Sequence, residues 1–144
     1  MRRAAQVLVL AVEGCAYSRE EHYDMTPVTA VVDGIDRIAG RAYHPIDLAR
    51  VNDQVVRMAL FKGDFHWHIH ENEDELFYVV RGRITIQMRP PFSDIVLTEG
   101  ELAVVPKGVE HCPVSDEASY VLMFAPASLK SAGDGLPELS RKCA

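Results

Sequence analysis

The residues with the clearest chemical potential are three histidines, His66, His68 and His70, at alternate positions near the middle of the chain. Successive side chains of a β-strand point to opposite faces, so a strand here places all three imidazoles on one face. A cluster of carboxylates follows at once, formed by Glu71, Glu73, Asp74 and Glu75. Imidazole and carboxylate together suit a first-row transition metal. The alternative is a solvated polar face that ends in an acidic loop.

The residues after this cluster favour a buried site. Phe77 and Val79 share a strand face with Glu75, so a carboxylate lies at the edge of an apolar surface. A carboxylate in that position is costly unless it is paired or bound to a cation.

Length, charge and cysteine usage exclude several classes of protein. A chain of 144 residues fits a single domain with a core of its own. The net charge of −6 argues against a nucleic-acid partner, which requires a basic face. The three cysteines, Cys15, Cys112 and Cys143, are odd in number and scattered, so we expect no disulfide framework and a cytoplasmic location.

Short strands separated by glycine and proline turns dominate the rest of the chain. Strands are predicted at residues 28–32, 54–61, 65–70, 75–81, 83–88 and 119–125, with three more within 95–114. Residues 34–40 predict a single helical turn or a loop, and Arg81-Gly82 predicts a tight hairpin. Many short strands at near-even spacing indicate an all-β sandwich or small barrel.

The two ends of the chain differ from this pattern. Residues 1–25 form an N-terminal extension, residues 26–126 the barrel domain, and residues 127–144 a loop or tail with little core content. The apolar run after Arg2 and Arg3 resembles a weak leader, but Glu13 stands where small residues are required. We favour an added edge strand at Gln6 to Val12, and the run is too short to cross a membrane.

Two motifs in this chain resemble those of the cupin superfamily. The first is a histidine pair, a glutamate and a glycine, here His68, His70, Glu75 and Gly82. The second is a glycine, five residues, Pro-x-Gly, two residues and a histidine, here Gly100, Pro106, Gly108 and His111. Together they span about residues 55–125.

The resemblance implies a double-stranded β-helix, or jelly roll, with little helix and with a metal in the barrel mouth. Its ligands would be His68, His70, Glu75 and His111. Such a set suits Fe, Mn, Ni or Zn and leaves one or two coordination positions open. The chain departs from the pattern at Ser115, where the family usually has an asparagine, and at Gly63, which lies one residue nearer the histidine pair than usual.

The resemblance leaves the reaction open, because many functions share this fold. The leading hypothesis is a metal-dependent enzyme on a small organic substrate, of the dioxygenase or the sugar or organic-acid isomerase type. The alternative is a non-catalytic module that binds a small ligand or acts as a sensor. His66 is the candidate catalytic acid or base, and its alternative role is that of a polar residue at the barrel rim. Strand edges in a small jelly roll must be covered, so we also expect a homodimer.

Overall fold

The structure of the protein is a computed structural model that describes residues 28–133. One short helix precedes seven strands in this part of the chain. The elements are α1 (Asp33–Ile38), β1 (Ile46–Val51), β2 (Gln54–Asp64), β3 (Glu75–Arg81), β4 (Arg83–Met88), β5 (Ile95–Thr98), β6 (Leu102–Val105) and β7 (His111–Pro126). The all-β prediction is confirmed.

Strand β7 is the longest element, and it connects two sheets. One side of β7 pairs with β2 from Val114 to Pro126, and the C-terminal part of the other side pairs with β3, in the order β1-β2-β7-β3-β6. Its N-terminal part pairs with β4, which in turn pairs with β5. All of these pairs are antiparallel, and the two sheets enclose a common core. The arrangement is a double-stranded β-helix.

The predicted hairpin at Arg81-Gly82 is wrong. Strands β3 and β4 do not pair with each other; both pair with β7, one after the other along it. The chain therefore bends at Gly82 and passes from one sheet into the next. Gly82 has a φ of 94°, and a Cβ atom there would lie 2.9 Å from the Cβ of Ser119. Only glycine fits this corner without strain.

Strand β2 is buried on both faces because it lies between two apolar clusters. Ala59 and Phe61 point into the barrel core, where they join side chains of both sheets. Met58 and Leu60 point outward and are covered by Ile38 of α1. The helix thus covers one end of the outer sheet face, and no other residue among 28–133 covers the exposed Leu102 and Val104 at the other end.

Several other secondary-structure predictions need correction. Residues 28–32 form no strand, because the turn at 31–32 leads directly into α1. Residues 65–70 are extended but form only isolated bridges. The last two predicted strands are one strand, β7, and β1 was not predicted. The predicted edge strand Gln6 to Val12 lies outside the described residues.

The segment that follows β7, residues 127–133, forms no strand or helix and is called here the C-terminal strap. It packs on the barrel: Leu129 is buried, and its carbonyl accepts a hydrogen bond from Arg57 at 3.1 Å. The amide of Ala127 donates to the carbonyl of Asp53 at 2.7 Å. The expected lack of core content therefore does not hold for Leu129. Within residues 28–133, no helix has the length and apolarity that crossing a membrane would require.

Candidate metal centre

Four buried side chains from three segments meet at one end of the barrel. His68 and His70 come from the extended segment before β3, Glu75 begins β3, and His111 begins β7. One nitrogen or oxygen atom from each of the four lies within 4.8 Å of the others. The structure therefore brings together the four ligands that the family motifs implied.

Backbone hydrogen bonds hold the segments in register. His68 and His111 exchange two backbone hydrogen bonds, of 3.0 Å and 2.9 Å, which places their side chains next to each other. The amide of Gly108 donates to the carbonyl of His70 at 2.7 Å. The amide of Lys107 donates to the carboxylate of Asp74 at 2.9 Å. The turn at residues 106–108, in the second motif, is thus hydrogen-bonded to both ends of the loop at residues 70–74, in the first motif.

Two backbone carbonyls orient two of the imidazoles. The Nδ1 atom of His68 lies 2.9 Å from the carbonyl of His66, and that of His111 lies 2.9 Å from the carbonyl of Val109. A carbonyl only accepts, so each Nδ1 carries the proton and each Nε2 is left with a free lone pair. This arrangement is the usual outer support of a metal-ligating histidine.

The third imidazole, that of His70, has no such support. Both of its ring nitrogens are buried without a hydrogen-bond partner, as is Nε2 of His111. Buried polar atoms are normally paired, so unpaired nitrogens in one cluster require an explanation. A cation bound among them supplies it, because neutral imidazole nitrogens are metal donors.

Glu75 supplies the negative charge of the cluster. Its Oε2 lies 3.2 Å from Nε2 of His70 and 3.6 Å from Nε2 of His111. Burial alone would raise the pKa of this carboxyl group, but contacts with His111 and His70 outweigh burial and lower the pKa to about 2. Burial, reinforced by the neighbouring His111, lowers the pKa of His68 to about 3. At neutral pH the cluster therefore holds a carboxylate and a neutral His68.

His66 lies beside this cluster and is not one of the four. Its ring centroid is 5.4 Å from that of His68 and 3.9 Å from that of Phe65. Its Nε2 lies 3.0 Å from the carbonyl of Ala132, to which it donates a hydrogen bond. His66 therefore connects the ligand segment to the C-terminal strap.

The acidic residues before Glu75, which are Glu71, Glu73 and Asp74, are not among the four clustered residues. The Asp74 carboxylate accepts from the Lys107 amide, which separates its role from that of Glu75. Glu73 accepts a hydrogen bond of 3.2 Å from the hydroxyl of Ser128 in the strap. Glu71 is exposed. Spacing along the chain could not distinguish these contacts, because both partners lie in distant segments.

Residues on the opposite face of the ligand segment build a separate cluster. Trp67 is buried against Cys112, as alternation from the histidines predicts, and the guanidinium of Arg89 lies 3.7 Å from the ring centroid of Trp67.

Cys112 is disulfide-bonded, and no cysteine other than Cys112 lies among the described residues. The cysteine count predicted no disulfide framework and did not foresee this bond. Ser115, which replaces the usual asparagine, donates to the carbonyl of Arg83 at 2.8 Å and so supports the corner at Gly82.

A cavity of about 30 Å³ opens beside His68 and Glu75. Tyr43, which sequence reasoning missed, lines it together with Phe61, Phe65 and other apolar side chains. The Tyr43 hydroxyl donates to the carbonyl of Gly63 at 2.6 Å, and burial raises the pKa of this phenol. Tyr43 lies in a segment with no strand pattern, so only the tertiary structure reveals its position.

Comparisons with known proteins agree with the fold and the motifs. Residues 55–125 match the family described as cupin domain. A cupin-2 domain containing protein from Shewanella frigidimarina is 32% identical, with a TM-score of 0.65 over 69% of this chain and 94% of that one. A structure from Neisseria meningitidis is 23% identical, with a TM-score of 0.63 over 69% of this chain and 99% of that one; it supports the fold.

One curated protein from Bacillus subtilis, the uncharacterized protein YdbB, is also similar. It is 38% identical over 64 residues, which are 44% of this chain and 56% of that protein. The double-stranded β-helix and the paired motifs define a cupin barrel, and the chain belongs to the cupin superfamily.

Proposed function

We propose that this cupin is a metal-dependent enzyme that acts on a small organic substrate. It binds a divalent transition metal through His68, His70, Glu75 and His111. The observation that carries the proposal is the group of unpaired buried nitrogens on His70 and His111 beside the carboxylate of Glu75. A structural polar cluster would pair these atoms within the protein.

The donor set matches the chemistry of such a metal. Three neutral imidazoles and one carboxylate suit Fe, Mn, Ni or Zn better than Ca or Mg. When bound, the metal would act as a Lewis acid or redox centre with positions open to a substrate oxygen. The protein's own part is to fix the histidine tautomers through the carbonyls of His66 and Val109 and to keep Glu75 ionised.

Metal analysis of protein purified without a histidine tag tests the proposal. We expect close to one metal ion per chain in the wild type and loss of most of it in His70→Ala and in His111→Ala. His44→Ala is the matched control, because His44 is exposed and is not one of the four clustered residues; its Nδ1 lies 2.8 Å from the carbonyl of Ala42. Full occupancy in both ligand variants would refute the assignment.

The reaction type follows from the identity of the metal and from the substrate. Iron with dioxygen uptake would indicate a dioxygenase, and activity without an oxidant would indicate an isomerase. The second candidate function is a small-ligand-binding or sensor module. Binding of metal and of small molecules, without turnover when the protein is loaded with Fe, Mn, Ni or Zn, would favour this second function.

The homodimer and the cytoplasmic location also remain proposals. The open end of the outer sheet face, near the exposed Leu102 and Val104 of β6, supports a second copy as partner. Scattered cysteines support the cytoplasm, whereas the disulfide at Cys112 counts against it, since disulfides are rare in reducing compartments. Cell fractionation decides this point, and recovery of the protein in an exported fraction would contradict the cytoplasmic assignment.

A further inference from the structure

We propose that the cavity beside His68 and Glu75 accepts a compact apolar molecule, aromatic or branched aliphatic, that carries a single oxygen donor group, and that it rejects sugars and other polyols. The inference rests on the proposed function, because the oxygen donor would face the metal. It narrows that function by naming the class of substrate.

The lining of the cavity is mostly apolar. Seven of its eleven residues carry hydrocarbon or thioether side chains, among them Phe61, Phe65, Phe77 and Met123. The ring of Phe65 stacks on that of Tyr43, with centroids 4.8 Å apart, and Phe61 meets Phe77 edge to face at 6.3 Å. Such a wall favours an aromatic or branched body through close packing.

Hydrogen-bonding groups in the lining are few. Apart from His68 and Glu75 of the candidate metal centre, the polar side chains of the lining are Tyr43 and Ser131. The Tyr43 hydroxyl already donates to the Gly63 carbonyl. A polyol would bury several hydroxyl groups without partners. Each unpaired hydroxyl weakens binding by roughly tenfold.

The charges in the lining disfavour anionic ligands. No lysine or arginine is among the lining residues, and Glu75 contributes one negative charge. Arg57, whose strand partner is Met123 of the lining, is occupied by the carboxylate of Asp47 at 3.0 Å and the carbonyl of Leu129 at 3.1 Å. Among residues 28–133, the lining therefore offers a sugar acid or dicarboxylate no cationic side chain for a group placed away from the metal.

The size of the cavity requires a compact guest. A volume of about 30 Å³ holds about two water molecules. An organic molecule must therefore displace lining side chains or the strap, which contributes Ser131.

Binding of phenol and erythritol tests the proposal, since the two are similar in size and differ in polarity. Calorimetry is performed on the full chain, both metal-free and loaded with zinc. We expect phenol to bind at least tenfold more tightly than erythritol in both forms. Equal affinities, or tighter binding of erythritol, would overturn the inference.

A substitution in the lining tests whether phenol occupies this cavity. Met123→Gln should weaken phenol binding about tenfold and leave zinc content unchanged, whereas Met123→Leu should stay within about threefold of the wild type. Leu122→Gln is the matched control. Leu122 is the neighbour of Met123 in the chain, but its side chain packs in the outer cluster with Met58 and Leu60. Thermal melts verify that each variant folds. Unchanged phenol affinity in folded Met123→Gln would overturn the inference.

The two forms of the protein separate the two proposals. Phenol binding to metal-free protein depends on the cavity alone. If no metal binds while phenol still binds and responds to Met123→Gln, the metal-dependent function fails and the apolar cavity stands. If metal binds and phenol does not, the substrate class is wrong and the metal site stands.

Discussion

Backbone carbonyls define the chemistry of the site at the scale of single residues. His68 and His111 each donate from Nδ1 to a carbonyl two residues earlier, at His66 and Val109, so their Nε2 atoms are free to act as donors. His70 lacks a carbonyl partner of this kind; its buried ring contacts the Glu75 carboxylate, with Nε2 3.2 Å from Oε2. We therefore expect the orientation of His70 to depend most on the bound metal.

The buried His68 should make the metal-free protein sensitive to acid. Its pKa is about 3 when folded and about 6.5 when unfolded, so the unfolded chain binds more protons between these values. The free energy of unfolding should fall as the pH drops from 6.5 towards 3, by about 1–2 kcal/mol between pH 7 and pH 5.

Urea unfolding at pH 7 and pH 5 measures this loss. His68→Gln should remove the part that His68 contributes, whereas His44→Gln should leave the pH dependence unchanged. The same pH dependence in His68→Gln and the wild type would refute the effect.

His66 should stabilise the strap and not bind the metal. His66→Phe keeps an aromatic ring against Phe65 but removes the hydrogen bond to Ala132. We expect unchanged metal content and faster amide hydrogen exchange in residues 127–133, since the strap loses a contact.

Loss of metal from His66→Phe would show that His66 is a ligand. Unchanged exchange would show that the hydrogen bond to Ala132 does not hold the strap. His66→Gln, measured on a substrate once one is known, tests the catalytic role: lower turnover with full metal content supports an acid or base.

At the scale of elements, the barrel depends on corners that let strands change sheets. Strands β3 and β4 follow each other along β7, and the bend at Gly82 meets two serines of β7. Ser119 accepts a hydrogen bond of 2.9 Å from the amide of Arg83, and Ser115 donates to the carbonyl of the same residue. Two serines of β7 therefore hold the backbone at the corner between β3 and β4.

Gly82→Ala should be strongly destabilising. The new methyl group would collide with the side chain and backbone of Ser119, and the positive φ of 94° adds strain, so we expect a loss of about 3 kcal/mol or more. Gly63→Ala is the matched control, because Gly63 has a φ of 79° but open space around it, and it should cost about 1–2 kcal/mol. Chemical denaturation measures both, and equal losses would contradict the steric account.

At the scale of the whole molecule, residues 28–133 leave part of an apolar sheet face uncovered. Leu76 of β3, Phe124 of β7 and Val104 of β6 lie side by side in the strand register, beyond the end that α1 covers. Strand β6 also lies at the end of its sheet. Exposed apolar strands at a sheet edge favour pairing with another chain.

We expect the protein to be a dimer at micromolar concentration through this face. The double substitution Leu102→Glu and Val104→Glu should give a monomer in sedimentation, because it places charges in the contact. Val96→Glu in β5 is the control, since Val96 is similarly exposed on the other sheet. A monomeric wild type, or a dimer in the double variant, would contradict the proposal; deletion of residues 1–12 tests whether the N-terminal segment contributes.

The sequence by itself determined the fold class and the identity of the four clustered side chains. Alternation places His68 and His70 on one face, and the family motifs select Glu75 over Asp74, because these features depend on local spacing. Tertiary structure decided the rest. Strands β3 and β4 follow each other along β7, Tyr43 lines the cavity, and the strap contacts His66. Each of these features depends on partners far apart in the chain. Such contacts are chosen by the packing of the whole barrel, so no local pattern encodes them.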